Sequence, residues 1–397
     1  MHPSDGLRGT RGHGLAGKRV VLAITGSIAA VECFELGREL IRQGAQVHAV
    51  LTKDAEKLVT PMSLEFATGN PVITEIDGKV QHVQLLGDVP DKADLLLIAP
   101  CTANTISKIA CGIDDTTVTT MATIALGSKV PVLIAPAMHG AMYQNPMVIE
   151  NVEKLKRAGV GFIGPRWEGK KAKIAPIDEI VASAIRRVGK NDYAGKSILV
   201  IGGASEEAID DMRVITNRST GETAVALAEV AFERGAVVEL WMGRSSVPIP
   251  SYLPVRRFRT VADVLEMVKD ISHDIVLMPA ALSDFSPQAA KGKIPSGKKE
   301  LNLKLRPVPK VLEAVRKRNT KLVAFKAESG VSEQELIEKA TARLQSVPLD
   351  MIVANDLHNV KPGESKVIML TAKGKTKACG PKREIAESIL DEALKVL

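Results

Sequence analysis

The sequence predicts an α/β protein built from two doubly wound, Rossmann-like domains, and three observations predict it. Short continuous apolar runs recur along the chain, as strands buried on both faces require. Amphipathic helical patterns separate those runs, so right-handed crossovers and parallel sheets follow. A strand, a Gly-turn and a helix occur together twice: in "RVVLAITGSIAAVECFELGRELIRQGAQVHAVLT" (19–52), and past the midpoint in "SILVIGGAS" (197–205) with "VITNRSTGETAVALAEVAFERGAVVELWMG" (214–243). At 397 residues the chain is also too long for one ordinary core.

The elements follow in order. The opening "MHPSDGLRGTRGHG" is polar and Gly-rich, lacks the apolar centre of a signal peptide, and is expected to be a disordered arm over 1–17. The first domain is placed at 18–190. Its strands are expected at 19–25, 46–52, 93–100 ("ADLLLIAP") and 130–138 ("VPVLIAPAM"), and "IDEIVASAIRRV" (177–188) is its closing helix. The polar break "GKNDYAGKS" (189–197) marks the boundary. The second domain, 191–397, restarts with the strand at 197–205, followed by strands at 236–243, 274–281, 321–329 and 350–356. "VIMLTAKGKTKACG" (367–380) is expected to be a hairpin turning near Gly374, and "REIAESILDEALKVL" is the terminal helix. The halves share no residue-level repeat, so they are two α/β units rather than a tandem duplication.

Composition narrows the function. Aromatic residues make up 3% of the chain, too few for a base-stacking nucleic-acid platform. The net charge of +7 suits phosphorylated small ligands, or simply a basic surface. Cys33, Cys101, Cys111 and Cys379 form no CxxC or Cys/His pattern; a disulfide framework or metal site is not expected, and a reducing cytoplasm is. No apolar run reaches the roughly 20 residues of a membrane span.

Two clusters in the first half suit a phosphorylated cofactor. Gly26 and Ser27 end the first strand just before a helix, where backbone N–H groups favour an anion, although a ligand-free βα turn has the same look. The pattern is neither GxGxxG nor a P-loop. Thr102, Ala103 and Asn104 end the 93–100 strand, where small polar groups can bond a ribityl phosphate or a ring edge, or merely cap the helix. In the second half, Gly202 and Gly203 make another such turn. Arg213 and Asn217 stand four apart beside "NRSTG", and Asp284 in "PAALSDF" precedes Lys293 in "KGKIPSGKK". A carboxylate for a base or ribose beside cations for phosphates is a plausible nucleotide site; a capped helix and a basic solvated loop are the plainer explanation.

Four motifs, "TGSIAAVE", "HVQL", "APCTANTISKIACGI" and "APAMHGAMYQNP", make the first half resemble the flavin-dependent cysteine decarboxylase family, which includes phosphopantothenoylcysteine decarboxylase. The resemblance implies a Rossmann-like flavoprotein with FMN between protomers of a trimer. It implies cofactor contacts at Gly26, Ser27, Ile28, Thr52, Thr102, Ala103 and Asn104, a catalytic His82 near the reacting thiol, and substrate contacts from Met138 and His139. The implied chemistry oxidises the cysteine thiol to a thioaldehyde, releases CO₂ and returns the hydride equivalent. Two departures stand out. His139 replaces the usual asparagine of PAMN, and the lid stretch "GPRWEGKKAKIAPIDEI" (164–180) has no cysteine to protonate the enethiolate, leaving Glu168, a lysine of "KKAK" or water.

The second half resembles phosphopantothenate–cysteine ligase, with its pattern IDPVR-ITNRSSG, AAVADF and a KIKK-like segment. Together the halves have the order of the bifunctional coenzyme A biosynthesis family. The resemblance implies that CTP, with Mg²⁺, activates the carboxylate of 4'-phosphopantothenate as an acyl-cytidylate that the amine of cysteine then attacks. Asn217 would hold the intermediate, Arg213 support it and Lys293 stabilise charge. Gly202, Gly203, Asp284, Phe325 and Arg343 would bind the nucleotide, with Asn355 and Asp356 framing it. Here Asp211 replaces the proline of IDPVR, and Arg343 serves where family lysines reach the triphosphate. A homo-oligomer is implied, with trimeric flavoprotein domains and dimeric ligase domains, for which a dodecamer is one arrangement. The alternatives are another flavin-dependent cysteine decarboxylase or a non-catalytic regulatory flavoprotein.

Overall fold

In the computed structural model, which describes residues 2–297, 300–358 and 363–396, the apolar runs become the central strands of two parallel sheets. The chain divides into two compact units, Met1–Asn191 and Asp192–Leu397.

In the first unit the strands Arg19–Ile24, Gln46–Leu51, Leu95–Cys101 and Val132–Pro136 are buried along nearly their whole length. With the two-residue strand Gly161–Phe162 they form one parallel sheet. In chain order the strands lie 2-1-3-4-5 across the sheet, so the order reverses between Arg19–Ile24 and Leu95–Cys101. Alternation sends Val20, Leu22 and Ile24 into one core and Val21 and Ala23 into the other, so both faces are covered. The carboxyl ends of the two strands at the reversal define the crevice in which such folds bind ligands.

The second unit has an eight-stranded sheet. Six strands are parallel: Val255–Arg257, Val237–Met242, Ser197–Gly202, Ile275–Met278, Lys321–Glu328 and Met351–Asp356, in that spatial order. The antiparallel hairpin Glu364–Thr371/Gly374–Pro381 completes it, with Gly374 opening the returning strand. The order reverses between Ser197–Gly202 and Ile275–Met278. The terminal helix Lys382–Leu394 packs on the sheet through Ile385, Ile389 and Leu390.

Two expectations need correction. The arm is not disordered over residues 2–17. Leu15 is fully buried in the first core, Arg8 donates to the carbonyl of Ala45, and the amides of Gly9, Arg11 and Leu15 donate to the carbonyls of Ile41, Arg42 and Gln43. Gly-rich chain can dock through backbone bonds and one or two anchoring side chains, and composition does not show that. The expected strand at 130–138 ends at Pro136, and Met138–His139 begins a separate small sheet with Arg166–Glu168 and Lys171–Lys173.

Candidate active sites

At the first unit's reversal, backbone and hydroxyl groups tie the predicted cofactor residues together. The amide of Thr25 donates to the carbonyl of Pro100 at 3.2 Å, and the amide of Thr102 donates to Thr25 Oγ1 at 3.1 Å. Gly26 lies so close to the next loop that a Cβ would meet Asp54 Cβ at 2.5 Å. The amide of Thr52 donates to the carbonyl of Ile24, and Thr52 Oγ1 accepts from the amide of Ala55. Ser27, at the start of the short helix Ile28–Glu32, makes no side-chain capping bond, and Ile28 is 75% exposed. Thr102 caps the helix Ala103–Cys111 by accepting from the amide of Thr105; Ala103 is buried and Asn104 exposed in its first turn. An open turn, an exposed apolar side chain and an exposed amide at the carboxyl ends of two central strands fit a flavin carrying a phosphate.

His139 lies on the neighbouring strand end, since the amide of Ala137 donates to the carbonyl of Cys101. It begins the helix Gly140–Tyr143, and its Nδ1 accepts from the amide of Ala141 at 3.3 Å. That bond leaves the ring proton on Nε2, an outward N–H donor suited to a carboxylate. The asparagine replacement therefore keeps a donor. Met138 is half-buried, paired with Ala172 of the lid hairpin, while His139 pairs with Lys171. Within the hairpin, Glu168 is ion-paired with Lys173, which holds its carboxyl below the ordinary range. A carboxylate held ionised is a poor proton donor near neutrality. Cys111 ends a helix, exposed, and plays no part in the lid.

His82 sits on the helix Gln81–Leu86, and its Nδ1 is buried without a hydrogen-bond partner. A buried, unsatisfied ring nitrogen costs free energy until something bonds it, a condition that His48 Nε2 and His273 Nδ1 share. No hydrogen bond joins His82 to the cofactor residues.

The second unit gathers its residues into two groups around its own reversal. Gly203 has φ +75°, and a Cβ there would meet the carbonyl oxygen of Arg244 at 2.6 Å. The carbonyl of Gly203 accepts from the amide of Ala281 at 2.8 Å, and Asn217 Nδ2 donates to the carbonyl of Ala281 at 2.9 Å. That bond fixes the amide of Asn217 and leaves its Oδ1 and second N–H for a ligand. Gly202 lets the helix Glu222–Glu233 approach, since a Cβ would lie 2.0 Å from Ala224 Cβ. From Ala281 the chain runs into a cleft of about 340 Å³ whose lining includes Asp284, Lys310, Phe325, Lys326 and Arg343. Three of the residues expected at the nucleotide thus share one cavity. Asp284 is ion-paired with Lys310.

Arg213 and Lys293 do not line that cleft. Arg213 and the backbone of Ile294, next to Lys293, are instead bonded to Asp210, whose side chain is fully buried. Its Oδ1 accepts from the amides of Met212 and Arg213 at 2.8 and 2.7 Å; its Oδ2 accepts from Arg213 Nη1 at 2.8 Å and from the amide of Ile294 at 3.0 Å. Lys293, the residue before Ile294, is exposed; Lys298 and Lys299 of the same basic stretch lie outside the described residues. Asp356 falls elsewhere. Its Oδ1 accepts from the amides of Gly330 and His358, and it lines a separate cavity with Glu333 and Lys366. A strand's last residue need not turn toward the crevice at its end. Among the described residues, no cluster of His, Cys, Asp and Glu is arranged to hold a metal.

Comparison with known proteins assigns both units. Residues 9–189 match the Flavoprotein family model, and residues 193–397 match that of the DNA/pantothenate metabolism flavoprotein C-terminal domain. Over the full length of both chains, this one is 47% identical to the coenzyme A biosynthesis bifunctional protein CoaBC of Thermococcus kodakarensis. The chain belongs to the CoaBC family. The CoaBC protein of Methanocaldococcus jannaschii is 38% identical over all of this chain and 98% of its own, and that of Bacillus subtilis 34% over 86% and 87%. Of the residues around the two CoaBC-like sites, the sequence reading passed over Asp210. The signal was present: an acid three residues before Arg213 can bend back on the intervening amides, as Asx turns do.

Proposed function

We infer that this chain is a bifunctional enzyme of coenzyme A biosynthesis. The second unit joins cysteine to 4'-phosphopantothenate, and the first decarboxylates the resulting 4'-phosphopantothenoylcysteine to 4'-phosphopantetheine. What carries the reading is the full-length CoaBC match, and it is supported by the open turns at Gly26 and Gly203, each at the end of a strand beside a reversal of strand order.

In the ligase unit, CTP is the activating nucleotide. The substrate carboxylate attacks its α-phosphorus, pyrophosphate leaves, and the amine of cysteine displaces cytidine monophosphate from the acyl carbon while losing a proton. Asn217 offers its free N–H to the acyl phosphate, with its amide already oriented by Ala281, so little reorganisation accompanies the step. Phe325 and Asp284 hold the nucleoside, Arg343 faces its phosphates in the cleft, and Gly202 and Gly203 open the turn beside it. Asp284 is engaged by Lys310, so Mg²⁺ would be held chiefly by phosphate oxygens.

In the decarboxylase unit, Gly26, Ser27, Ile28, Thr52, Thr102, Ala103 and Asn104 hold FMN. A bound flavin supplies reversible removal of a hydride equivalent from the thiol-bearing carbon. The chain's own residues do the rest. His139 Nε2–H holds the departing carboxylate, Met138 gives an apolar floor, and His82 takes the thiol proton at its unpartnered Nδ1. Lys170, Lys171 or water returns a proton from the lid. We further propose that the protein is cytoplasmic and works as a homo-oligomer, trimeric through its flavoprotein domains.

The test is a coupled assay of the purified, yellow protein with 4'-phosphopantothenate, cysteine and either CTP or ATP. CO₂ release should require all three substrates and be faster with CTP. Release of CO₂ from added 4'-phosphopantothenoylcysteine without any ligation would leave only the decarboxylase half standing.

A further inference from the structure

We propose that Asp210 is a positioning residue of the ligase, fixing where the neighbouring Lys293 presents its charge. The proposal rests on the ligase reading above.

Asp210 lies in the loop of a small hairpin. The strands Glu206–Ala208 and Val214–Thr216 pair antiparallel, and the amide of Ile209 donates to the carbonyl of Arg213 to close the loop. A carboxylate in a surface loop would ordinarily point to water. This one is buried and receives three backbone N–H bonds and one guanidinium bond. The amide of Ile294 foremost, then those of Met212 and Arg213, hold it below the usual carboxylate range against the opposing effect of burial.

The bonds reach into a distant segment. The amide of Ala290 donates to the carbonyl of Ile209 at 3.0 Å, that of Ile294 to Asp210, and Arg213 Nη1 to the carbonyl of Ile294 at 3.3 Å. Residues 291–293 are therefore a tip pinned at both ends to the Asp210 loop. One carboxylate therefore ties the Arg213 loop to the residue next to Lys293. Lysine is a compact charge on a flexible stem, and Gly292 at φ +74° adds no stiffness, so the anchors must locate it. Only a carboxylate fits. Asparagine would bring two N–H donors into a pocket already full of donors.

A misplacement of about 1 Å at a reacting centre can cost about 100-fold in rate. In the full-length chain, Asp210→Asn should lower the ligase rate about 10- to 100-fold, read as pyrophosphate release, and leave CO₂ release from added 4'-phosphopantothenoylcysteine unchanged. The deciding readout is a double-mutant cycle with Lys293→Gln. If Asp210 acts through Lys293, adding Asp210→Asn to Lys293→Gln changes the rate by less than about threefold. Losses that multiply, or an Asp210→Asn rate within about twofold of wild type, would overturn the proposal. Should Asp210→Asn unfold the second unit, Ile294→Pro decides instead. It deletes one donor to Asp210 and leaves the bonds to Met212 and Arg213, so its loss should also vanish in the Lys293→Gln background; an undiminished rate overturns the idea. A wild-type chain without ligase activity on any nucleotide strikes the ligase reading itself.

Discussion

Gly203 and Gly195 make a controlled comparison within one unit. Their φ values are +75° and +76°, yet a Cβ at Gly203 would meet the carbonyl oxygen of Arg244 at 2.6 Å, whereas one at Gly195 would meet nothing within 4 Å. Alanine at either position carries the left-handed penalty of about 1–2 kcal/mol. At both it is offset by about 0.4–1 kcal/mol from the stiffer unfolded chain. Those contributions cancel in the difference between the variants. What remains is the approach to a backbone oxygen that cannot swing aside, an overpacking cost of about 1–3 kcal/mol. Gly203→Ala should thus be the less stable variant by that margin. Ala281, bonded to Gly203, would move with it and carry Asn217 away, so ligase activity should fall in Gly203→Ala alone. Of the chain's two tryptophans, Trp241 is fully buried in the second unit and Trp167 is on the first unit's lid hairpin. Urea unfolding followed by fluorescence in a Trp167→Phe background therefore reports the second unit. A difference below about 0.5 kcal/mol would refute the steric reasoning.

Three more outcomes are expected. Asn104→Asp places a carboxylate at the exposed first turn of the proposed flavin site, so flavin should bind more weakly in absorbance titrations; a fully yellow variant of unchanged affinity would misplace the site. Val188 ends a helix packed into the first core, while Tyr193 is buried in the second and donates to the carbonyl of Leu390. A cut after Lys190 should accordingly give two folded pieces that each keep their half-reaction, and a folded but inactive 191–397 piece would count against it. Finally, the amide and hydroxyl of Ser197 hold the carboxyl of Asp274 below its ordinary 3.8. Its stabilising effect is complete above that value and lost as pH falls through the lower folded value. Asp274→Asn should flatten the acid limb of the second unit's stability curve, and a limb identical to wild type would exclude this group.

Much of this molecule was legible in the residues because strands buried on both faces must be apolar throughout. "ADLLLIAP" and "SILVIGG" could be little else, and their order placed both Gly-turns at sheet ends. Strands that bury little gave no such sign. Val255–Arg257 is exposed along its length, and Glu206–Ala208 with Val214–Thr216 owes its form to backbone bonds and the buried carboxylate of Asp210. The arm was missed because two leucines scattered among glycines do not look like core residues, although Leu15 is one and the partly buried Leu7 packs against the same core. The candidate site residues were visible as motifs; the bonds that tie Asp210 and Arg213 to Ile294 were not, since they join segments some 80 residues apart.

The rims of the eight-stranded sheet bear on the excess of positive charge. One rim is Val255–Arg257, carrying Arg256 and Arg257; the other is Gly374–Pro381, which carries Lys375 and Lys377 and closes on a proline. An open strand edge is a template for a stranger's strand, and lysine, arginine and proline are the residues that spoil the template. Four of the chain's cations thus lie on the two rims where a stranger's strand would have to pair. Neutralising them, by acetylating the two lysines for example, would leave both chemistries in place and shorten the time the protein survives in a crowded solution.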